Sequence, residues 1–330
     1  MPQVETVNGS VELDSLGPTL MHEHVFVLSA DYAQNYGPGA WWDEDARVAD
    51  AVVKLRSLHA KGVTAIVDPT VVGLGRYIPR IQKVAAEVPV HIIAATGVYT
   101  YGDLPFPYSN RGPGTMFGGD EPMVGDFVRD LREGIADTGV RAAFLKCAVE
   151  HADASPGVER VLRAVAKAHL ETGAPMTVHT SSAEYTGRYV VGVLGEEGAD
   201  LTKLVVGHAG DSNDLDYLME LADTGALLGM DRFGIDLFNP TPSRIQTIAA
   251  LSARGYADRM VLSHDASCWI DWFGPDVLAM QAALTPNWHY EHISNDVLPA
   301  LLESGVTEAQ ITQMMVENPK RYFTPSLASA

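Results

Sequence analysis

Cysteine is nearly missing from this chain: Cys147 and Cys268 are the only two in 330 residues, and no CxxC occurs. A disulfide framework and a thiolate metal knuckle are both excluded, and a reducing compartment is the simplest setting. Basic residues are also scarce. Twenty-three Lys and Arg stand against 42 Asp and Glu, a formal charge of −19, which repels nucleic acid and anionic membrane surfaces rather than recruiting them. No run of 18 apolar residues is present, which argues against a membrane span. The opening stretch MPQVETVNGSVELDS has neither the basic nor the apolar part of a secretory signal. A cytoplasmic protein with no nucleic-acid or membrane partner is expected. Neither a GxSxG elbow nor an HExxH helix occurs, so serine-hydrolase and zincin chemistry lack their sequence marks.

What is present is a large apolar fraction, 46%, distributed in eight short β-rich runs: TLMHEHVF, VTAIVDPT, HIIAATG, AAFLKCA, PMTVHT, KLVVGHAG, ALLGMDR and MVLSHDA. Between them lie stretches with helical spacing at 44–60, 76–87, 121–138, 156–172, 184–197, 213–224 and 241–254, with closing helices at 290–303 and 307–317. VERVLRAVAKAHLETG shows the pattern well, with Val158, Val161, Leu162, Val165 and Ala168 on one side and a glycine stop. Strands alternating with helices indicate parallel sheet. Eight such units without a linker predict a single α/β domain over 1–330, a (β/α)8 TIM barrel; a doubly wound sheet is the competitor. Two long connections, 98–120 and 266–289, both follow strands and fall at the mouth where barrel enzymes carry their chemistry.

The polar residues collect at the strand ends. His22 and His24 are two apart, so in a continuous strand both rings leave on one face. Lys146 lies in the fourth run, His179 ends the fifth, His208 the sixth, and SHDAS brings His264 and Asp265 at the eighth. A barrel would converge them on one rim. Imidazoles and a carboxylate together suit zinc, iron, manganese or cobalt. The plainer readings are a hydrogen-bonded rim role for each histidine and an ion pair for Lys146, whose ammonium has no lone pair to give. His59, His91, His151, His169, His289 and His292 fall elsewhere and receive no role.

MHEHVF, AAFLKCA, TVHT, VGHAGD, MDRFG and LSHDAS together resemble the phosphotriesterase family of the amidohydrolase superfamily, and within it the phosphotriesterase-like lactonases, over nearly the whole chain. The resemblance implies a binuclear centre of two divalent ions, with zinc expected first. His22, His24 and Asp265 would hold the more buried ion and His179 and His208 the more exposed one. Lys146, carboxylated on its amine, would bridge them. A hydroxide shared by the ions would attack the substrate while Asp265 accepts its proton.

The short connection DRFGIDLFNPTPSR is similar to the lactonase branch. By that resemblance Tyr99 would contact the substrate beside the metals and Arg232 would position it. Packing in a Pro-rich loop and a rim ion pair are the plainer roles for those two. Cys268, Trp269, Trp272 and Phe273 could wall a channel for an acyl tail, form a homodimer interface, or both. The substrate expected is a small neutral lactone, N-acyl-homoserine lactones first, with phosphotriesterase activity on the side. An organophosphate or carboxylic ester hydrolase and a non-catalytic metal-binding homologue are the alternatives.

Overall fold

Eight of the short runs form one parallel barrel. The computed structural model describes residues 2–37 and 43–325. Its barrel strands are β1 (Thr19–Leu20), β2 (Ala65–Asp68), β3 (His91–Gly97), β4 (Phe144–Val149), β5 (Met176–Thr180), β6 (Leu204–Gly207), β7 (Leu227–Met230) and β8 (Met260–Leu262). Each pairs in parallel with its sequence neighbour, from β1 through to β8. The two edges meet where Met21 N donates to Leu262 O at 3.3 Å. No described helix is long and apolar enough to cross a membrane.

The strands are short and β-rich because both their faces are buried. Outward residues pack on the helices, while Ala65, Val67, Ile93, Phe144, Val205 and Leu227 belong to a second, interior cluster. Val4, Leu13, Tyr322 and Phe323 join that cluster, from an N-terminal hairpin (Gln3–Thr6 and Gly9–Glu12), the turn after it and the last helix. With a side-chain period of two, Lys146 stands one layer above Phe144 and His179 one layer above Thr177. The apolar fill therefore forms the floor of the polar mouth.

Helix boundaries follow local chemistry. Pro156–Thr172 opens under Ser155, whose side chain accepts from Val158 N, and stops at Gly173 in the left-handed region (φ 72°), the glycine stop expected from sequence. The helix expected over 121–138 ends at Arg132, because Gly134 and Gly139 take positive φ and turn the chain. The closing helices run further than expected, to Phe323.

The expected first strand differs most. It breaks after Leu20, and His24–Val27 resumes as a separate strand paired with Ser267–Ile270 from the last connection. Glu23 explains the break. Its carboxylate is fully buried and accepts from Ser263 Oγ, His264 N and Ala266 N at 2.8–2.9 Å, tying the first strand's end to β8. The 266–289 connection is not irregular either: Ser267–Ile270 is followed by the helix Pro275–Leu284.

Candidate metal centre

At the carboxyl ends of the strands, residues scattered from 22 to 265 meet. His22 Nε2 and His24 Nε2 lie 3.4 and 3.3 Å from the same atom, Asp265 Oδ1. His179 Nδ1 lies 2.8 Å from His208 Nε2. Lys146 is completely buried, and its Nζ has no hydrogen-bond partner among the described residues. Two triads offer ligand atoms within 4.8 Å of one another: His22, His24 and Asp265, and His22, His208 and Asp231. Cys147, beside Lys146, is buried and free.

The donor chemistry fits cations. Burial pushes the His179 imidazole down to about 4 and lowers His22 and His208 as well, so the rings carry lone pairs at neutral pH. Burial opposes ionisation of Asp265, but His22, His24, His208 and Arg232 outweigh it and hold its carboxyl well below the usual range. Asp231 Oδ1 sits 2.8 Å from His208 Nδ1, which places that ring's proton on Nδ1 and leaves Nε2 bare. Glu150 Oε2 sits 2.5 Å from His179 Nε2 and does the same for Nδ1. Two bare nitrogens then face each other at 2.8 Å, an arrangement that a shared cation satisfies. Burial also brings the orphaned Lys146 amine down to about 8.

Backbone strain is concentrated here. Five described non-glycine residues have positive φ, and His208 (62°), Arg232 (62°) and Asp265 (55°) are three of them. A left-handed conformation costs such residues about 1–3 kcal/mol each and persists where its surroundings over-determine it. Around Asp265 those surroundings include the Trp288 indole, which donates to the carbonyls of His264 and Asp265 at 3.1 Å each. Arg232 is gripped by Asp265 (Nε to Oδ2, 3.1 Å) and Asp211 (2.9 Å). Gly97 allows the closest approach: a Cβ there would lie 1.8 Å from the carbonyl oxygen of Lys146, so no other residue fits beside that strand.

Sequence reasoning missed the groups that hold the imidazoles. Asp231 and Glu150 carry no sequence signal of that role, although one adjoins Arg232 and the other follows β4. Thr70 (2.7 Å from His24 Nδ1) carries no sequence mark. His264 is near in sequence but faces away. Its Nε2 accepts from Ile293 N at 2.9 Å, so its Nδ1 donates to Glu23 at 2.7 Å; it is a structural anchor.

Above the cluster is a cavity of about 310 Å³. Tyr99, Tyr101, Glu150 and Arg232 line it with the imidazoles, and Trp272, Phe273, Ile235 and Phe238 contribute apolar walls. Two expected wall residues stand elsewhere. Cys268 is buried against Tyr290 (Sγ to OH, 3.3 Å), and Trp269 lies under the Arg47 guanidinium, 3.4 Å from its ring centre. A larger hollow of about 540 Å³ on the flank contains Arg76 and Arg129, but each is paired, with Asp130 and Asp126.

A parallel barrel with lone-pair imidazoles and carboxylates gathered over an apolar floor defines a metal-dependent hydrolase. A model of the phosphotriesterase family matches residues 2–323. The chain is 52% identical over 323 residues to the phosphotriesterase homology protein of Mycobacterium tuberculosis, covering 98% of both. It is 37% identical over 315 residues to the aryldialkylphosphatase of Saccharolobus solfataricus, 96% of this chain and 97% of that one. A solved structure of the phosphotriesterase from Mycobacterium tuberculosis superposes with a TM-score of 0.95 at 51% identity, over 98% of each chain. The chain belongs to the phosphotriesterase family, binuclear metal-dependent hydrolases acting on small ester and phosphoester substrates.

Proposed function

We propose that the protein is a lactonase, opening the ring of N-acyl-homoserine lactones or similar neutral lactones, with weaker phosphotriesterase activity. His22, His24 and Asp265 would hold one ion and His179 and His208 the other, with zinc the first choice and Lys146 carboxylated between them. When bound, the pair activates water at neutral pH and polarises the bond under attack.

The remaining roles belong to the chain. Asp265, ionised and in contact with His22 and His24, accepts the proton released by the attacking water. Burial, reinforced by Tyr101, holds the Tyr99 phenol far above its ordinary range, so it remains a donor toward the lactone oxygens at any working pH. Arg232 is held charged by Asp265 and Asp211 despite its burial and orients the ring. Trp272 and Phe273 take the acyl tail. Exposed Val277, Met280 and Leu284 on the helix beside this wall support a homodimer as the working assembly, in the cytoplasm.

The carrying observation is the cavity itself, a floor of imidazoles, tyrosine hydroxyls and the paired Arg232 under an apolar wall, which suits a neutral head group on a greasy chain. The Saccharolobus solfataricus relative, an aryldialkylphosphatase, favours a second reading as an organophosphate hydrolase. Zinc-loaded protein assayed on a long-chain N-acyl-homoserine lactone and on a diethyl aryl phosphate decides between them. The lactone should have the higher kcat/KM by at least about tenfold, roughly 1.4 kcal/mol of transition-state stabilisation; the reverse order would establish the organophosphate reading.

A further inference from the structure

Three of the four imidazoles have their outward nitrogen hydrogen-bonded to an oxygen, and His22 Nδ1 lies 3.2 Å from Asp231 Oδ2; the oxygens differ in one respect. Asp231, beside His22 and His208, has a side chain only 2% exposed. Thr70, on His24, is buried too. Glu150, on His179, is 32% exposed and stands in the cavity wall.

We propose that Glu150 is a positioning residue for the second ion, fixing the tautomer of His179 from its place in the cavity wall. The inference rests on the two-ion reading above. A carboxylate accepts and does not donate, so Glu150 at 2.5 Å from Nε2 selects the tautomer whose bare Nδ1 faces His208. Tyr101 cannot replace it: its hydroxyl is 3.4 Å from the same nitrogen and can serve as donor or acceptor. Without Glu150 the proton can move to Nδ1 and donate to His208 Nε2 across the 2.8 Å gap. That hydrogen bond would occupy both nitrogens meant for the ion.

The placement follows from register. β4 and β5 pair with Ala148 opposite His179, so Glu150, two residues beyond Ala148, emerges beside the ring. The strand that carries Lys146 thus leads directly into the group that orients His179. Behind the ion that His22, His24 and Asp265 would hold stand Thr70, 2.7 Å from His24 Nδ1, and Asp231, 3.2 Å from His22 Nδ1, both buried. Partner carboxylates of this kind are worth about 10–100-fold in metal affinity.

The test is a competition titration of fully zinc-loaded protein with a chromophoric chelator, on wild type, Glu150→Leu and Glu150→Gln. Wild type should release two zinc ions in two steps. Glu150→Leu should weaken the looser step by about 10–100-fold and leave the tighter one unchanged. Glu150→Gln, which keeps a carbonyl acceptor, should recover most of the loss. Two wild-type steps in Glu150→Leu, or both steps weakened equally, would overturn the role of Glu150 alone. A wild type that holds a single zinc ion would overturn the two-ion reading and this inference with it.

Discussion

Lys146 shows how burial alters what a residue can do. In water a lysine amine is almost wholly protonated at neutral pH; here burial lowers it to about 8, and among the described residues no hydrogen bond holds its Nζ. The carboxylation proposed for Lys146 needs the neutral amine, because the nitrogen lone pair attacks CO2. At fixed dissolved CO2, recovery of metal-stripped protein on adding zinc should therefore quicken about tenfold per pH unit below 8 and level off above it. A rate still climbing steeply beyond pH 9.5, roughly where an ordinary lysine near 10.4 still titrates, would show an unperturbed amine. Legibility from sequence was uneven at this scale. His22, His24, His179, His208 and Asp265 could be read from their places at strand ends. Asp231, Glu150 and Glu23 could not, because a carboxylate that holds an imidazole has no fixed spacing from it and acts across the barrel.

Among the elements, the helix Thr241–Ala253 does more for the site than its surface position suggests. Arg244, 1% exposed, donates to Asp211 Oδ1 at 2.5 Å, to Asp231 O at 2.9 Å and to Asn239 O at 2.9 Å. It therefore fixes the carboxylate that grips Arg232 and the backbone that presents Asp231. Arg244→Met should cost about 1–3 kcal/mol, because Asp211, 12% exposed, keeps only Arg232 and the carbonyls of Asp231 and Asn239 lose their donor. Urea denaturation of the variant beside wild type checks this, and a change under 1 kcal/mol would show that Arg232 alone satisfies Asp211. Periodicity located this helix but not its buried arginine. Helical patterning reports which face is apolar, and it is silent on a charge that is buried because its partners converge from β6 and β7.

For the whole molecule the dominant quantity is charge. At −19 the protein repels anionic substrates over distances that salt can screen. Raising salt from about 10 mM to about 1 M shortens the Debye length from about 30 Å to about 3 Å. kcat/KM for a neutral acyl lactone should scarcely change over that range, whereas a substrate bearing a free carboxylate should gain several-fold. Stopped-flow or initial-rate measurements on the two substrates check this, and equal salt dependence would remove long-range charge from the account of specificity.

The barrel was determined by sequence alone, because eight doubly buried parallel strands separated by amphipathic helices leave few other closed arrangements. So was the gathering of the strand-end histidines with Asp265, because a barrel brings the ends of all its strands to one face. Tertiary structure decided where the first strand breaks, which way Cys268, Trp269 and His264 face, and which acids hold which rings. Each of those depends on contacts between residues tens to hundreds of positions apart, and such contacts leave no local period in the chain.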